Sequence, residues 1–132
     1  MSLRAVIVDD SAEFLRAARC VLEREGITVV ASASTGAEAL RSTEEHDPDV
    51  VLVDVELGRE SGFDVVERLS RATGLRRRMV LISAHSEQDL GDLIDASPAI
   101  GFVSKSRLSA HAIIELLGGS DRAGPTNAPR GT

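Results

Sequence analysis

Apolar and polar residues fall in alternating blocks along this chain. Continuous apolar runs that stop at a polar residue are followed by stretches with helical spacing. The clearest run is Val50-Val51-Leu52-Val53, preceded by Pro48-Asp49 and closed by Asp54. Apolar residues in unbroken succession predict a strand covered on both faces, as in the middle of a parallel sheet. Residues 3–8 form a similar run and stop at Asp9-Asp10. Residues 28–32, 79–82 and 99–103 predict three more strands. Ser83 ends the second of these, and Lys105 follows the third almost at once.

The intervening stretches predict five helices. Residues 11–25 place Phe14, Ala17, Ala18, Val21 and Leu22 on one face, and Gly26 is a natural stop. Thr35 and Glu38 have capping-box spacing and open a helix through about residue 45, which Asp47-Pro48 ends. Residues 62–72 turn Phe63, Val66 and Leu69 inward. Residues 87–96 carry Leu90, Leu93 and Ile94, and residues 108–117 carry Leu108, Ala112, Ile113, Leu116 and Leu117. Residues 55–61 read as a polar loop, and Arg76-Arg77-Arg78 as a solvated edge. After Gly118 large apolar residues disappear, so the expected organisation is one folded domain over 1–117 and a flexible tail over 118–132. Strand–helix alternation predicts an α/β fold, a five-stranded parallel sheet in the order 2-1-3-4-5 with helices on both faces, flavodoxin-like and doubly wound.

Composition narrows the choices. At 132 residues the chain suits one core, and with three Phe and no Trp or Tyr that core must be aliphatic. The net charge of −6 and the shortage of aromatics argue against direct nucleic-acid binding. Cys20 is the sole cysteine, which excludes an intramolecular disulfide or a cysteine metal cluster. No segment approaches the roughly 18 apolar residues of a membrane span, and the N-terminus lacks signal-peptide layout. A cytoplasmic protein without membrane contact is expected.

Parallel topology gives the polar strand ends their meaning. Asp9 and Asp10 end strand 1, Asp54 ends strand 3, Ser83 ends strand 4, and Lys105 follows strand 5. Every carboxyl end of a parallel sheet lies on one edge, where open α/β sheets bind their ligands. Each residue alone has an ordinary explanation as a cap, turn or solvated side chain. Together they form a set of three carboxylates, a hydroxyl and an ammonium. Clustered carboxylates repel one another and suit a hard divalent cation such as Mg²⁺. A carboxylate beside such a cation can attack phosphorus to give an aspartyl phosphate. Lys105 and the metal would offset charge on the phosphoryl oxygens, and Ser83 can donate to one of them.

With these residues in view, residues 3–117 resemble the response-regulator receiver domains of two-component signalling, the CheY-like superfamily. Asp9 and Asp10 match the family's acidic pair, Asp54 its phosphoacceptor, and Gly62 the glycine in the following loop. Ser83-Ala84 match the Thr/Ser-Ala pair, Lys105 the lysine, and Phe102 the switching aromatic. The resemblance implies phosphorylation of Asp54 by a histidine kinase or phosphotransfer protein. It implies Mg²⁺ on Asp10, Asp54 and the Glu56 carbonyl, with Asp9 acting mostly through water. Ser83 and Phe102 would then switch a face of helix 4, strand 5 and helix 5, including His85, Gln88, Asp92, Arg107 and His111, toward a downstream protein. Such a chain catalyses only its own phosphorylation and slow dephosphorylation, and is a monomer or weak homodimer. The alternatives are the amino-terminal receiver part of a DNA-binding transcriptional regulator, a receiver that binds partners without phosphate, and an independent hydrolase.

Two departures stand out. Ser106 replaces the proline that usually follows the lysine through a cis bond; a cis bond before Ser would cost about 3 kcal/mol. Leu57-Gly58 replace the frequent Met-Pro, which predicts a looser loop after Asp54. Glu56 and His85 flank the expected phosphorylation site and are expected to set the dephosphorylation rate by controlling water access.

Overall fold

Five apolar runs pair into one parallel sheet in a computed structural model that describes residues 3–73, 78–85 and 87–122. In chain order the elements are β1 (Arg4–Val8), α1 (Ala12–Arg24), β2 (Thr28–Ala33), α2 (Gly36–His46) and β3 (Val50–Asp54). A small hairpin follows, β4 (Glu56–Leu57) and β5 (Glu60–Ser61), then α3 (Gly62–Thr73), β6 (Arg78–Ser83), α4 (Glu87–Asp95), β7 (Gly101–Ser104) and α5 (Ala110–Arg122). The large sheet has the order β2-β1-β3-β6-β7. With the hairpin strands set aside, this is the expected 2-1-3-4-5.

The unbroken apolar runs are explained by two separate interiors. Ile7, Val50, Leu52, Val80 and Ile82 face one layer, which includes Ala18 and Leu22 of α1 and Ile113 and Leu117 of α5. Their strand neighbours Val6, Val8, Val51, Val53 and Leu81 face the other, which includes Ala39 of α2 and Val65, Val66 and Leu69 of α3. Successive side chains on a strand point to opposite faces, so a strand covered on both sides must be apolar at every position. Leu90 and Ile94 of α4 pack on the second interior. No helix among the described residues is long and apolar enough to cross a membrane.

Several boundaries differ from the expectation. Residues 55–61 form an antiparallel hairpin in which Glu56 pairs with Ser61 and Leu57 with Glu60, rather than a looser loop. Leu57 is buried in the second interior, and Gly58 takes φ +61° at the first turn position. That is where a two-residue hairpin places glycine in a type II′ turn. The last helix begins at Ala110, not Leu108, because Lys105–Arg107 form a 3₁₀ turn and the Ser109 hydroxyl accepts the Ala112 N–H at 3.1 Å. It also runs to Arg122, five residues into the expected tail. Residues 123–132, and Arg76 and Arg77 of the arginine triplet, lie outside the described residues. On α1, Val21 and Ala17 are exposed, while Leu15 packs inward.

The helix starts follow from cap chemistry. Ser11 caps α1 by accepting the Phe14 N–H at 3.2 Å. Thr35 caps α2 by accepting the Glu38 N–H at 3.1 Å, and the Glu38 carboxylate reaches back one residue further than a capping box requires, to the Ser34 N–H at 2.9 Å. That hydrogen bond holds the Glu38 carboxyl below its usual range. Asp47 ends α2 in the left-handed region at φ +47°, a conformation that Asp tolerates better than most residues.

One glycine fixes how α3 departs from the end of β3. The Gly62 N–H donates to the Val55 carbonyl at 2.8 Å. A Cβ at residue 62 would lie 1.9 Å from the Asp54 carbonyl oxygen and 2.7 Å from its carbon. Since backbone cannot yield as a flexible side chain does, Gly62→Ala is expected to cost about 3 kcal/mol, the upper end of overpacking. Urea denaturation checks this, and an unchanged midpoint would contradict the close approach.

Candidate functional site

Strand register brings the polar strand ends to one rim. Val8 lies beside Val53, and Asp54 beside Ile82, so Asp9 and Ser83 follow on the two strands flanking Asp54. Ser83 in turn lies beside Ser104, after which Lys105 opens its 3₁₀ turn. Asp9, Asp10 and Asp54 each present a carboxylate oxygen within 4.8 Å of the others. Asp9 is fully buried, Asp54 is 5% exposed, and Asp10 is exposed.

Lys105 joins the set from the far side. Its Nζ lies 2.6 Å from Asp9 Oδ2 and 3.2 Å from Asp54 Oδ2. It also sits 4.3 Å above the centre of the Phe14 ring, a cation–π contact from the first turn of α1. The other oxygens are held by backbone. Asp9 Oδ1 accepts the Ser11 N–H at 2.8 Å, and Asp54 Oδ1 accepts the Glu56 N–H at 3.3 Å. Among the described residues no aligned hydrogen-bond donor reaches the buried Asp9 Oδ2, and the Lys105 ammonium 2.6 Å away supplies the opposite charge.

The charges do not balance. Three carboxylates against one ammonium leave two negative charges in excess at the rim. Burial raises the Asp54 carboxyl above its ordinary range. The Asp9 charge adds to this, and the Glu56 N–H and Lys105 oppose it. Burial also works against the Lys105 ammonium, but its contact with Asp9 and the charges of Asp54 and Asp9 outweigh that and hold it above its usual value. Hard oxygen donors and an excess charge of two fit a divalent cation such as Mg²⁺. The cleft beside them holds about 600 Å³ and is lined by Asp10, Asp54, Glu56, Gly58, Arg59 and Glu60 among others. Such space admits the waters that Mg²⁺ retains.

The remaining expected residues lie close by in different roles. Ser83 is buried, and its Oγ accepts the His85 N–H at 2.9 Å. The Glu56 side chain points outward and its Oε1 lies 3.3 Å from His85 Nε2, so the two exposed residues pair across the rim. Phe102 is not at the rim. It lies beside Leu81 and lines a groove of about 250 Å³ with Val103, Arg107, Ala112, Glu115 and Leu116. The peptide bond between Lys105 and Ser106 is trans. Sequence reasoning passed over Phe14, Ser11 and Glu60. For Phe14 a signal existed: it sits five residues past Asp9 on the helix that leaves the rim, yet its apolar character read as core alone.

The raised Asp54 carboxyl makes a stability prediction whose sign is fixed. An acid with a folded pKa above its unfolded value destabilises the fold once it ionises. Stability therefore falls as pH rises from about 4 through the folded value, and stays lower above it. Asp54→Asn removes that cost. At about pH 7 the variant is expected to melt at a higher temperature than the parent chain, with the gap closing towards about pH 4. Thermal melts across that range test it, and a gap independent of pH would contradict the electrostatic origin.

Comparison with known proteins agrees with this geometry. The model of the response regulator receiver domain matches residues 5–117. The chain is 31% identical over 99 residues to the chemotaxis protein CheY of Bacillus subtilis, covering 75% of this chain and 80% of that protein. It is 39% identical over 94 residues to the transcriptional regulatory protein KdpE of Mycobacterium tuberculosis, covering 71% of this chain but 39% of that protein. A solved two-component response regulator of the LuxR family from Aurantimonas sp. SI85-9A1 superposes with a TM-score of 0.77 at 27% identity, covering 94% of this chain and 87% of that one. The chain spans about half the length or less of several curated relatives it matches. A match that takes in β1 through α5, over a rim built as described, makes this chain a member of the response regulator receiver family.

Proposed function

We propose that the chain is a phosphorylatable signalling switch that takes a phosphoryl group on Asp54 and acts through protein partners. The observation that carries this reading is the contact of Lys105 Nζ with both Asp9 and Asp54 at the rim of three carboxylates. In the transfer from a histidine kinase or phosphotransfer protein, an Asp54 oxygen attacks phosphorus. The O–P bond forms as the P–N bond to the donor histidine breaks, and the leaving imidazole takes up a proton. Asp10, Asp54 and the Glu56 carbonyl would hold Mg²⁺, with Asp9 acting mostly through water. Bound there, the cation would neutralise charge on the phosphoryl oxygens.

The other residues have defined parts. Lys105 faces the charge that gathers during transfer, held in place by Asp9 and Phe14. Ser83 accepts from the His85 N–H, which leaves its own proton free for a phosphoryl oxygen. A new dianion that draws Ser83 would vacate space beside β6, into which Phe102 would turn. The readout is the face of α4, β7 and α5, where His85, Gln88, Asp92, Arg107 and His111 are exposed. Catalysis is limited to the chain's own phosphorylation and slow dephosphorylation.

A second reading places this receiver at the amino terminus of a longer transcriptional regulator. It is favoured by the partial coverage of KdpE and of the transcriptional activator EvgA of Escherichia coli. The length of the reading frame beyond codon 132 decides between the two.

Two measurements test the switch. Incubation with acetyl phosphate and Mg²⁺ is expected to add one phosphoryl mass to the chain and none to Asp54→Asn; absence of an Asp54-dependent adduct would favour a binding module that works without phosphate. The Glu56–His85 pair screens the rim from water, so His85→Ala and Glu56→Asn are expected to lose the phosphoryl group faster than the parent. Equal decay in all three chains would remove the pair from that role.

A further inference from the structure

Glu60 belongs to the second hairpin strand, yet its carboxylate leaves the hairpin. Oε1 accepts the Gly36 N–H at 2.8 Å, and Oε2 lies 3.6 Å from Arg68 Nη1. Gly36 is the first residue of α2, where N–H groups have no partner inside the helix. Thr35 serves the Glu38 N–H and Glu38 serves Ser34, which leaves the Gly36 N–H for Glu60. A carboxylate is also favoured there by the helix dipole. The approach depends on the missing side chain: a Cβ at residue 36 would lie 2.7 Å from Glu60 Oε2, 2.9 Å from Arg68 Nη1 and 3.1 Å from Val65 Cγ2. One carboxylate thus ties the hairpin to both α2 and α3.

The hairpin is also the wall of the acidic cleft. Its first strand supplies the Glu56 N–H to Asp54. At its turn, a Cβ on Gly58 would lie 3.3 Å from Asp10 Oδ2. Two strands of two residues each have little stability of their own. Buried Leu57 holds one side of the hairpin to the core, and Glu60 holds the other. Although Glu60 lines the cleft, its partners lie on α2 and α3, so it acts on the cleft through the backbone and not as a ligand.

We propose that Glu60 is a positioning residue that, braced by Gly36 and Arg68, sets the Glu56 carbonyl and Gly58 against the acidic cluster and so tunes its affinity for a divalent cation. The inference rests on the reading of that cluster as a Mg²⁺ site.

The test is a titration of the ¹⁵N-labelled chain with Mg²⁺ alone, followed through its amide resonances. Glu60→Ala is expected to raise the Mg²⁺ dissociation constant about tenfold, the lower end of what outer partners contribute to metal sites. Gly36→Ala, which pushes the carboxylate away, is expected to act in the same direction. Glu60→Gln keeps an acceptor for Gly36 but loses the charge facing Arg68, and is expected to fall between. Without metal, the Gly36 amide is expected to exchange with solvent faster in Glu60→Ala. Parent affinity in folded Glu60→Ala would overturn the inference while leaving the Mg²⁺ reading intact. Should Glu60→Ala not fold, parent affinity in both Glu60→Gln and Gly36→Ala would overturn it. A parent chain that binds no Mg²⁺ would overturn the Mg²⁺ reading and this inference with it.

Discussion

The Lys105 ammonium is held between two carboxylates that would otherwise repel each other beneath a protein surface. Asp9 is fully buried and Asp54 nearly so, and neither can find enough water to offset its charge. Removing the ammonium would leave the buried carboxylates uncompensated, which is costlier than never having formed the set. Placing Lys105 there requires β7 to end beside β6 and the chain to tighten at once into a 3₁₀ turn. Placing the acids requires β1 and β3 to be neighbours in parallel register. The sheet order and the rim are therefore one constraint seen twice.

The rim is left short of positive charge, and this links stability to function. A fold optimised only for persistence would replace Asp54, whose ionisation burial opposes. The chain keeps a carboxylate in an environment that favours neutralising it. That is the condition under which a cation or a covalent modification has a large effect on the local balance. Functional sites are where such strained electrostatics concentrate.

Much of this was legible in the order of residues. The runs ending at Asp9, Asp54 and Ser83 read as covered strands because two interiors leave no polar position between the ends of β1, β3 and β6. Once parallel strands are granted, their polar ends must share an edge. What could not be read depends on short-range geometry or on partners distant in sequence. The segment after Asp54 looked like a polar loop because β4 and β5 are too short to show alternation, and Leu57 gave no sign that it is buried. The start of α5 was misjudged because apolar Leu108 outweighed Ser109, whose cap is reinforced by Glu25 accepting the Ala110 N–H from 85 residues away. The loss of large apolar residues after Gly118 hid the last turns of α5, and a glycine there lowers helix propensity by only about 1 kcal/mol and imposes no end.

The sharing of β3 between two layers has an engineering corollary. Val50 and Leu52 pack with α1 and α5, while Val51 and Val53 pack with α2 and α3. The interiors are insulated from each other by the sheet itself, yet both grip the strand that ends in Asp54. A designer could repack either chamber as a separate problem, and evolution could retune one without rewriting the other. The common rail between the chambers is the single place where those two histories must agree.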